Sequence, residues 1–185
     1  ALSPTDQYGV YYDLNTLWTQ HPDLRLAVRN NSVSLGNQAY ANSLSVAVGY
    51  GAEALGIDTV SIGRAAGSNA IGHNNASMGV GAGIDSRGSD NVSLGNLAGN
   101  AAKGNFNLML GDAAGTQLTG SHNILMGQGA GIAARTDKSV LIGVEAGRYS
   151  MGTSMTIIGT NAGLGSRGEG SSIIGAEAGA YSSGT

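Results

Sequence analysis

"VSLGNLAGNAAKGNFNLMLGDAAG" (residues 92–115) states one phrase twice, sixteen residues apart: three mostly apolar residues, a glycine, two free positions, then Ala-Gly. Aligning the chain on the glycine after each triplet gives ten units, anchored at Gly36, Gly49, Gly63, Gly79, Gly95, Gly111, Gly127, Gly143, Gly159 and Gly175. The first two intervals are 13 and 14 residues and the other seven are 16. An aliphatic residue or Met precedes every anchor, and Ala stands three places after it. From Gly63 onward a second Gly follows at the fourth place, and a third at the ninth except at Thr136. A fixed period of this kind is the mark of a solenoid.

Composition narrows the class. Gly supplies 32 of 185 residues without a Gly-X-Y period, which excludes collagen, and the apolar triplets exclude a plain flexible linker. No apolar run approaches the ~18 residues of a membrane span, and no basic-then-apolar leader opens the chain, so a secretion signal is absent or already removed. There is no cysteine, hence no disulfide framework. A net charge of −3 argues against nucleic acid as the main partner.

A Val/Ile/Leu-rich triplet bounded by Asn or Ser and by Gly reads as a short strand, and glycines at fixed offsets read as coil corners. Sixteen residues fit one coil of a parallel β-solenoid, so the expected fold class is all-β. Ten coils stacked at the strand spacing of about 4.8 Å make a rod on the order of 45 Å long. Asn75, Asn91, Asn107 and Asn123 occupy one repeat position and are expected to form a side-chain amide ladder.

The expected interior of the roll is the aliphatic residue before each anchor, the residue two places earlier (Val33, Val46, Val60, Val92, Leu108, Ile124, Val140) and the small Ala. The middle residue of the triplet is small or polar early (Ser34, Ala47, Ser61, Ser77, Ser93) and greasy later (Met109, Leu125, Leu141, Ile157, Ile173). Side chains alternate faces along a strand, so the later strands are apolar on both. The five greasy middle residues are therefore expected to face copies of the same chain in an obligate homo-oligomer.

"NSVSLG" (residues 31–36), "SVAVGYGAEALG" (residues 45–56) and "TVSIGRAAG" (residues 59–67) resemble the head repeats of YadA-like trimeric autotransporter adhesins. The resemblance implies a left-handed parallel β-roll with 13–16-residue coils, assembled as an intertwined or side-by-side homotrimer at a bacterial surface. The longer coil with its added Gly departs from that pattern and resembles repeats of trimeric phage tail fibres. It covers residues 31–185 and speaks to architecture, not to a ligand. The expected setting is accordingly extracellular: a cell surface, or a virion or fibre tip. Residues 1–30 carry no repeat but hold Trp18, Tyr8, Tyr11, Tyr12 and both prolines, and read as a cap or connector, with an exposed aromatic platform as the alternative. The chain ends directly after a repeat, which reads as a fragment of a longer fibre.

Signals for chemistry are poor. His21, His73 and His122 fall at unrelated repeat positions, so no zinc spacing arises. "GVGAG" (residues 79–83) and "GQGAG" (residues 127–131) recur as coil corners, without the Lys-Ser/Thr of a phosphate loop. Glu145 and Glu177 share a position two coils apart, about 10 Å on an open face, against the roughly 5–9.5 Å that glycosidases hold within a cleft. Neither an enzyme, a cofactor nor a metal is expected. The eighth place after the anchor is basic in four units, Arg87, Lys103, Arg135 and Arg167. These cations pair between coils or between subunits with nearby acids (Asp90, Asp137, Glu169), or they form a stripe for an anionic glycan or lipopolysaccharide. The leading reading is a homotrimeric adhesin head that binds a host or prey cell-surface glycan or matrix protein through repeated faces. The alternatives are a stiff tail-fibre spacer with no ligand of its own and, third, a monomeric flat-faced solenoid such as an ice binder, which the lack of a Thr ladder disfavours.

Overall fold

The computed structural model describes the backbone of residues 26–29 and all of residues 31–184; the cap expected from Tyr8, Tyr11, Tyr12 and Trp18, and also His21, lie outside the described residues. Every described element is a strand or a turn. The strands are β1 (Leu26–Arg29), β2 (Ser32–Leu35), β3 (Tyr40–Ala41), β4 (Val46–Val48), β5 (Glu53–Ala54), β6 (Val60–Ile62), β7 (Ala76–Met78), β8 (Val92–Leu94) and β9 (Leu108–Leu110). They continue as β10 (Ile124–Met126), β11 (Arg135–Asp137), β12 (Val140–Ile142), β13 (Met151–Thr153), β14 (Thr156–Ile158), β15 (Arg167–Glu169), β16 (Ser172–Ile174) and β17 (Ser183–Gly184).

The ten triplets are β2, β4, β6, β7, β8, β9, β10, β12, β14 and β16, and they pair in parallel, each with the same residue of the next coil. Val92, Ser93 and Leu94 thus lie beside Leu108, Met109 and Leu110. This is the all-β parallel solenoid that the spacing implies. β1 runs antiparallel to β2 and occupies the first edge of the sheet. A second parallel sheet, β11–β13–β15–β17, begins with the coil that contains Thr136. In the four preceding coils the ninth place is a glycine at φ near 136° and the residues before it form only single bridges. Thr136 does not share that positive φ, and a three-residue strand forms around it.

The glycine corners have a direct cause. A Cβ on Gly104, at φ 134°, would run into the carbonyl oxygen of Gly120 in the next coil. Other corners take left-handed residues that are not glycine. At the second, sixth and eleventh places after the anchor, Leu97, Ala101 and Phe106 all have φ between 54° and 56°.

The interior corrects one expectation. The middle residues of the triplets point into the coil: Ala47, Ser61, Ser77, Ser93, Met109, Leu125, Leu141 and Ile157 are all buried, and Ile173 packs against the same cluster. The residues on either side of them, including Val33, Val46, Val60, Val92, Leu108, Ile124 and Val140, point outward and are half-buried or exposed. Met109, Leu125, Leu141, Ile157 and Ile173 are therefore core residues and not contacts to a neighbouring chain. The physical reason is parity. The ladder position Asn75/Asn91/Asn107/Asn123 is buried, and the middle residue stands two places after it on the same side of an extended chain. The coil is narrow, so each strand contributes one inward side chain opposite the invariant Ala (Ala66, Ala82, Ala98, Ala114, Ala130, Ala146, Ala162). The change from Ser93 to Met109 is a change in core filling, from a polar interior to an apolar cluster that runs from Ala102 to Ala162.

The asparagine ladder forms as expected. Asn91, Asn107, Asn123 and Ser139 each donate a backbone N–H to the Oδ1 of the preceding asparagine at 3.0 Å. Each asparagine Nδ2 also donates to the carbonyl at the next ninth place, as Asn107 does to Gly120 at 2.9 Å. The ladder then passes to Ser139, whose Oγ accepts from the Met155 N–H.

Candidate functional site

Two surfaces, half a coil apart, carry the chemistry of this chain. The first is the outer face of the triplet sheet. Along it run two columns, from Val33 to Ser172 and from Leu35 to Ile174, apolar at every position except Thr156 and Ser172. Met78, Val92, Leu94 and Ile124 are each about 40% exposed. Nothing in the described chain lies over these columns. They make a stripe about 45 Å long and on the order of 10 Å wide, within the size range of the largest apolar patches on monomers, which are often functional. The apolar face that the sequence assigns to the middle residues is therefore carried by the flanking columns.

The second surface holds the eighth and tenth places. Ile71, Arg87, Lys103, Thr119 and Arg135 bridge one to the next, and Arg135, Met151, Arg167 and Ser183 continue the column through β11, β13, β15 and β17. Arg87, Lys103, Arg135 and Arg167 are thus brought into one line, all exposed. Within the chain, none of the four pairs with Asp90, Asp137 or Glu169. Among the described residues the one salt bridge is Arg148–Glu145 at 3.1 Å.

Part of the reason is a second ladder that the repeat pattern alone does not reveal. At the tenth place, His73 Nδ1, Ser89 Oγ, Asn105 Oδ1, Ser121 Oγ and Asp137 Oδ1 each accept a backbone N–H from the coil before, at 2.7 to 3.0 Å. Asp137 spends its carboxylate on the Ser121 N–H, and Asp90 accepts from Asn74 Nδ2. The signal that could have found it is that every residue from His73 to Asp137 in this column carries a side-chain acceptor.

Aromatic rings also lie outside. Tyr40, Tyr50, Phe106, Tyr149 and Tyr181, the Tyr and Phe residues of the described segment, are all exposed. Phe106 and His122 stack at 5.0 Å on adjacent coils. Arg148 donates to the Tyr149 hydroxyl at 3.0 Å, lies over that ring at 4.9 Å, and donates to Glu145. The Tyr149 hydrogen bond first, then Glu145, raise the Arg148 pKa above its ordinary value, so it remains a fixed cation. Glu145 and Glu177 stay two coils apart at the second place, and Glu145 is already engaged by Arg148. Among the described residues no three His, Asp or Glu side chains come together as metal ligands, and no helix is long and apolar enough to cross a membrane. No family model matches the sequence, and no curated protein matches it.

Proposed function

We propose that this chain is a non-enzymatic surface fibre or adhesin head that assembles as a homotrimer through its triplet face and attaches to a cell-surface or matrix ligand through the columns on its other side. The observation that carries this reading is the double column of outward residues along the ten triplets, apolar except at Thr156 and Ser172. A copy of the chain is the simplest cover, because an identical face has the same length, repeat and apolarity. The number three comes from the resemblance of residues 31–67 to trimeric adhesin heads, which also supplies the attachment role. Straight parallel stacking supports it mechanically, since a stiff rod with repeated outward residues multiplies weak contacts threefold around its axis. The setting proposed is extracellular, at a cell surface or on a fibre.

Two measurements test the reading. The solution mass by light scattering at micromolar concentration is expected at three times the 18.4 kDa chain; a monomer overturns the assembly. Labelled trimer is then expected to bind intact cells or immobilised matrix protein. A trimer that binds none of them overturns attachment and leaves the stiff spacer.

A further inference from the structure

We propose that Tyr149, Tyr181 and Arg167 form a binding shelf for an acidic glycan, one whose pyranose rings carry carboxylates. This deepens the attachment reading and rests on it.

Tyr149, Gly165 and Tyr181 occupy the sixth place of three successive coils. The coils are in register there: the Gly165 N–H donates to the Arg148 carbonyl and the Tyr181 N–H to the Leu164 carbonyl. The two rings are therefore based two coils apart, about 10 Å. Gly165 forms the floor between them. A Cβ on it would stand 2.9 Å from Tyr181 Cδ1, so the Tyr181 ring leans over the glycine. Tyr149, with a further coil on either side of it, is 49% exposed.

Both tyrosines sit in the left-handed region, at φ 59° and 55°. The same place elsewhere holds Asn69, Asp85, Ala101, Gln117 and Ala133, none of them aromatic. A bulky residue is unfavourable at that φ, and these two gain no core burial in return. The Phe106–His122 stack differs, because those rings pack on each other in adjacent coils. Tyr149 and Tyr181 are rings held out on rigid corners at a conformational cost, the pattern that points to function.

Arg167 supplies the charge. It lies two residues after Gly165, between Met151 and Ser183 in the second sheet, exposed and without an ion pair. Arg148, by contrast, is tied to Glu145 and to the Tyr149 hydroxyl, and so holds that ring still. A pyranose presents a flat C–H face to an aromatic ring and hydroxyls at its rim, and a sugar carboxylate matches the fork of a free guanidinium. A peptide is the poorer fit: backbone N–H groups at this corner, Tyr149, Gly165 and Tyr181 among them, donate to neighbouring coils, leaving little of a main-chain ladder to offer. The shelf is half a coil from the apolar face and stays open when that face is covered.

The test uses the full chain with oligogalacturonate as acidic probe and dextran oligosaccharide as neutral control, read by calorimetry or NMR line broadening. Wild type is expected to bind oligogalacturonate and not dextran. Tyr149→Asn/Tyr181→Asn is expected to weaken binding at least tenfold while the melting temperature holds or rises, because Asn suits a left-handed corner. Arg167→Gln is expected to weaken binding comparably, without change in trimer mass. Absence of wild-type binding to oligogalacturonate, equal binding of dextran, or wild-type affinity in the tyrosine double variant each overturns the shelf. Cell attachment separates the two levels. Attachment that survives in the double variant overturns the shelf and leaves the adhesin reading standing; wild-type trimer that binds neither cells nor oligogalacturonate overturns both.

Discussion

At Gly104 a single hydrogen atom decides whether two coils can stack. A Cβ there would clash with the carbonyl oxygen of Gly120, and its φ of 134° lies where side chains are strained. Gly104→Ala is therefore expected to destabilise by more than about 3 kcal/mol. Gly51, at φ 63° with no atom near its Cβ position, isolates the conformational term. Gly51→Ala should cost only about 1 kcal/mol, and urea denaturation of the two variants measures the difference. Similar costs at both sites would show that inter-coil contact is not what the ninth glycine protects. The asparagine ladder is the second residue-scale device. Asn107→Ala leaves the buried Asn123 N–H and Gly120 carbonyl without their partners, and the expected loss is about 2–4 kcal/mol by the same assay. A loss below about 0.5 kcal/mol would mean that the coils re-pair without it.

At the scale of the coil, most of the architecture is legible in the sequence and its inside-out sense is not. The period, the strand positions and the ladder follow from Gly95, Gly111 and Asn107 and their equivalents, because backbone corners and stacked amides tolerate few residue types. Polarity misleads because the triplet reads apolar–small–apolar in the first half of the chain, which assigns the larger side chains to the interior. The coil is too narrow for two such columns, so it takes Ser61 or Ser93 inside and leaves Val60, Ile62, Val92 and Leu94 out. The parity of Asn91 and Ser93 is the available clue. The second ladder, from His73 to Asp137, escapes because its members share only an acceptor atom. Register makes an element-scale prediction. Deleting residues 96–111 removes one whole coil and joins Gly95 to Asp112, which keeps every column in place. The shortened chain is expected to fold cooperatively with its circular dichroism shape unchanged. Deleting residues 96–110 leaves one surplus residue between Gly95 and Asp112, puts the turn columns of that one coil out of register with their neighbours, and is expected to lower the denaturation midpoint below that of the 16-residue deletion. Equal behaviour of the two deletions would refute the register.

For the whole molecule, the two faces of one strand give opposite expectations. Leu125 is fully buried in the core, whereas its neighbours Ile124 and Met126 stand on the outer stripe. Leu125→Ala opens a cavity inside one coil and is expected to cost about 2–5 kcal/mol in denaturation. Because the loss is internal to the chain, the mass of the remaining folded assembly should stay at three chains. Leu110→Asp with Met126→Asp instead places two charges on adjacent strands of the outer stripe. In a lone chain those carboxylates remain hydrated at a half-exposed position and the coil keeps its strand signal. In a trimer closed on this face they are buried without partners, and the penalty multiplies across three copies. The expected result by sedimentation or light scattering is a folded 18.4 kDa monomer. Sodium chloride at about 1 M, which screens exposed charges to about 3 Å, is expected to leave the proposed trimer intact, since the contact proposed for it is apolar. If the double aspartate variant stays trimeric, the chains meet elsewhere and the stripe needs another occupant. If wild type itself dissociates in salt, the cationic column from Arg87 to Arg167 becomes the surface that holds the copies together.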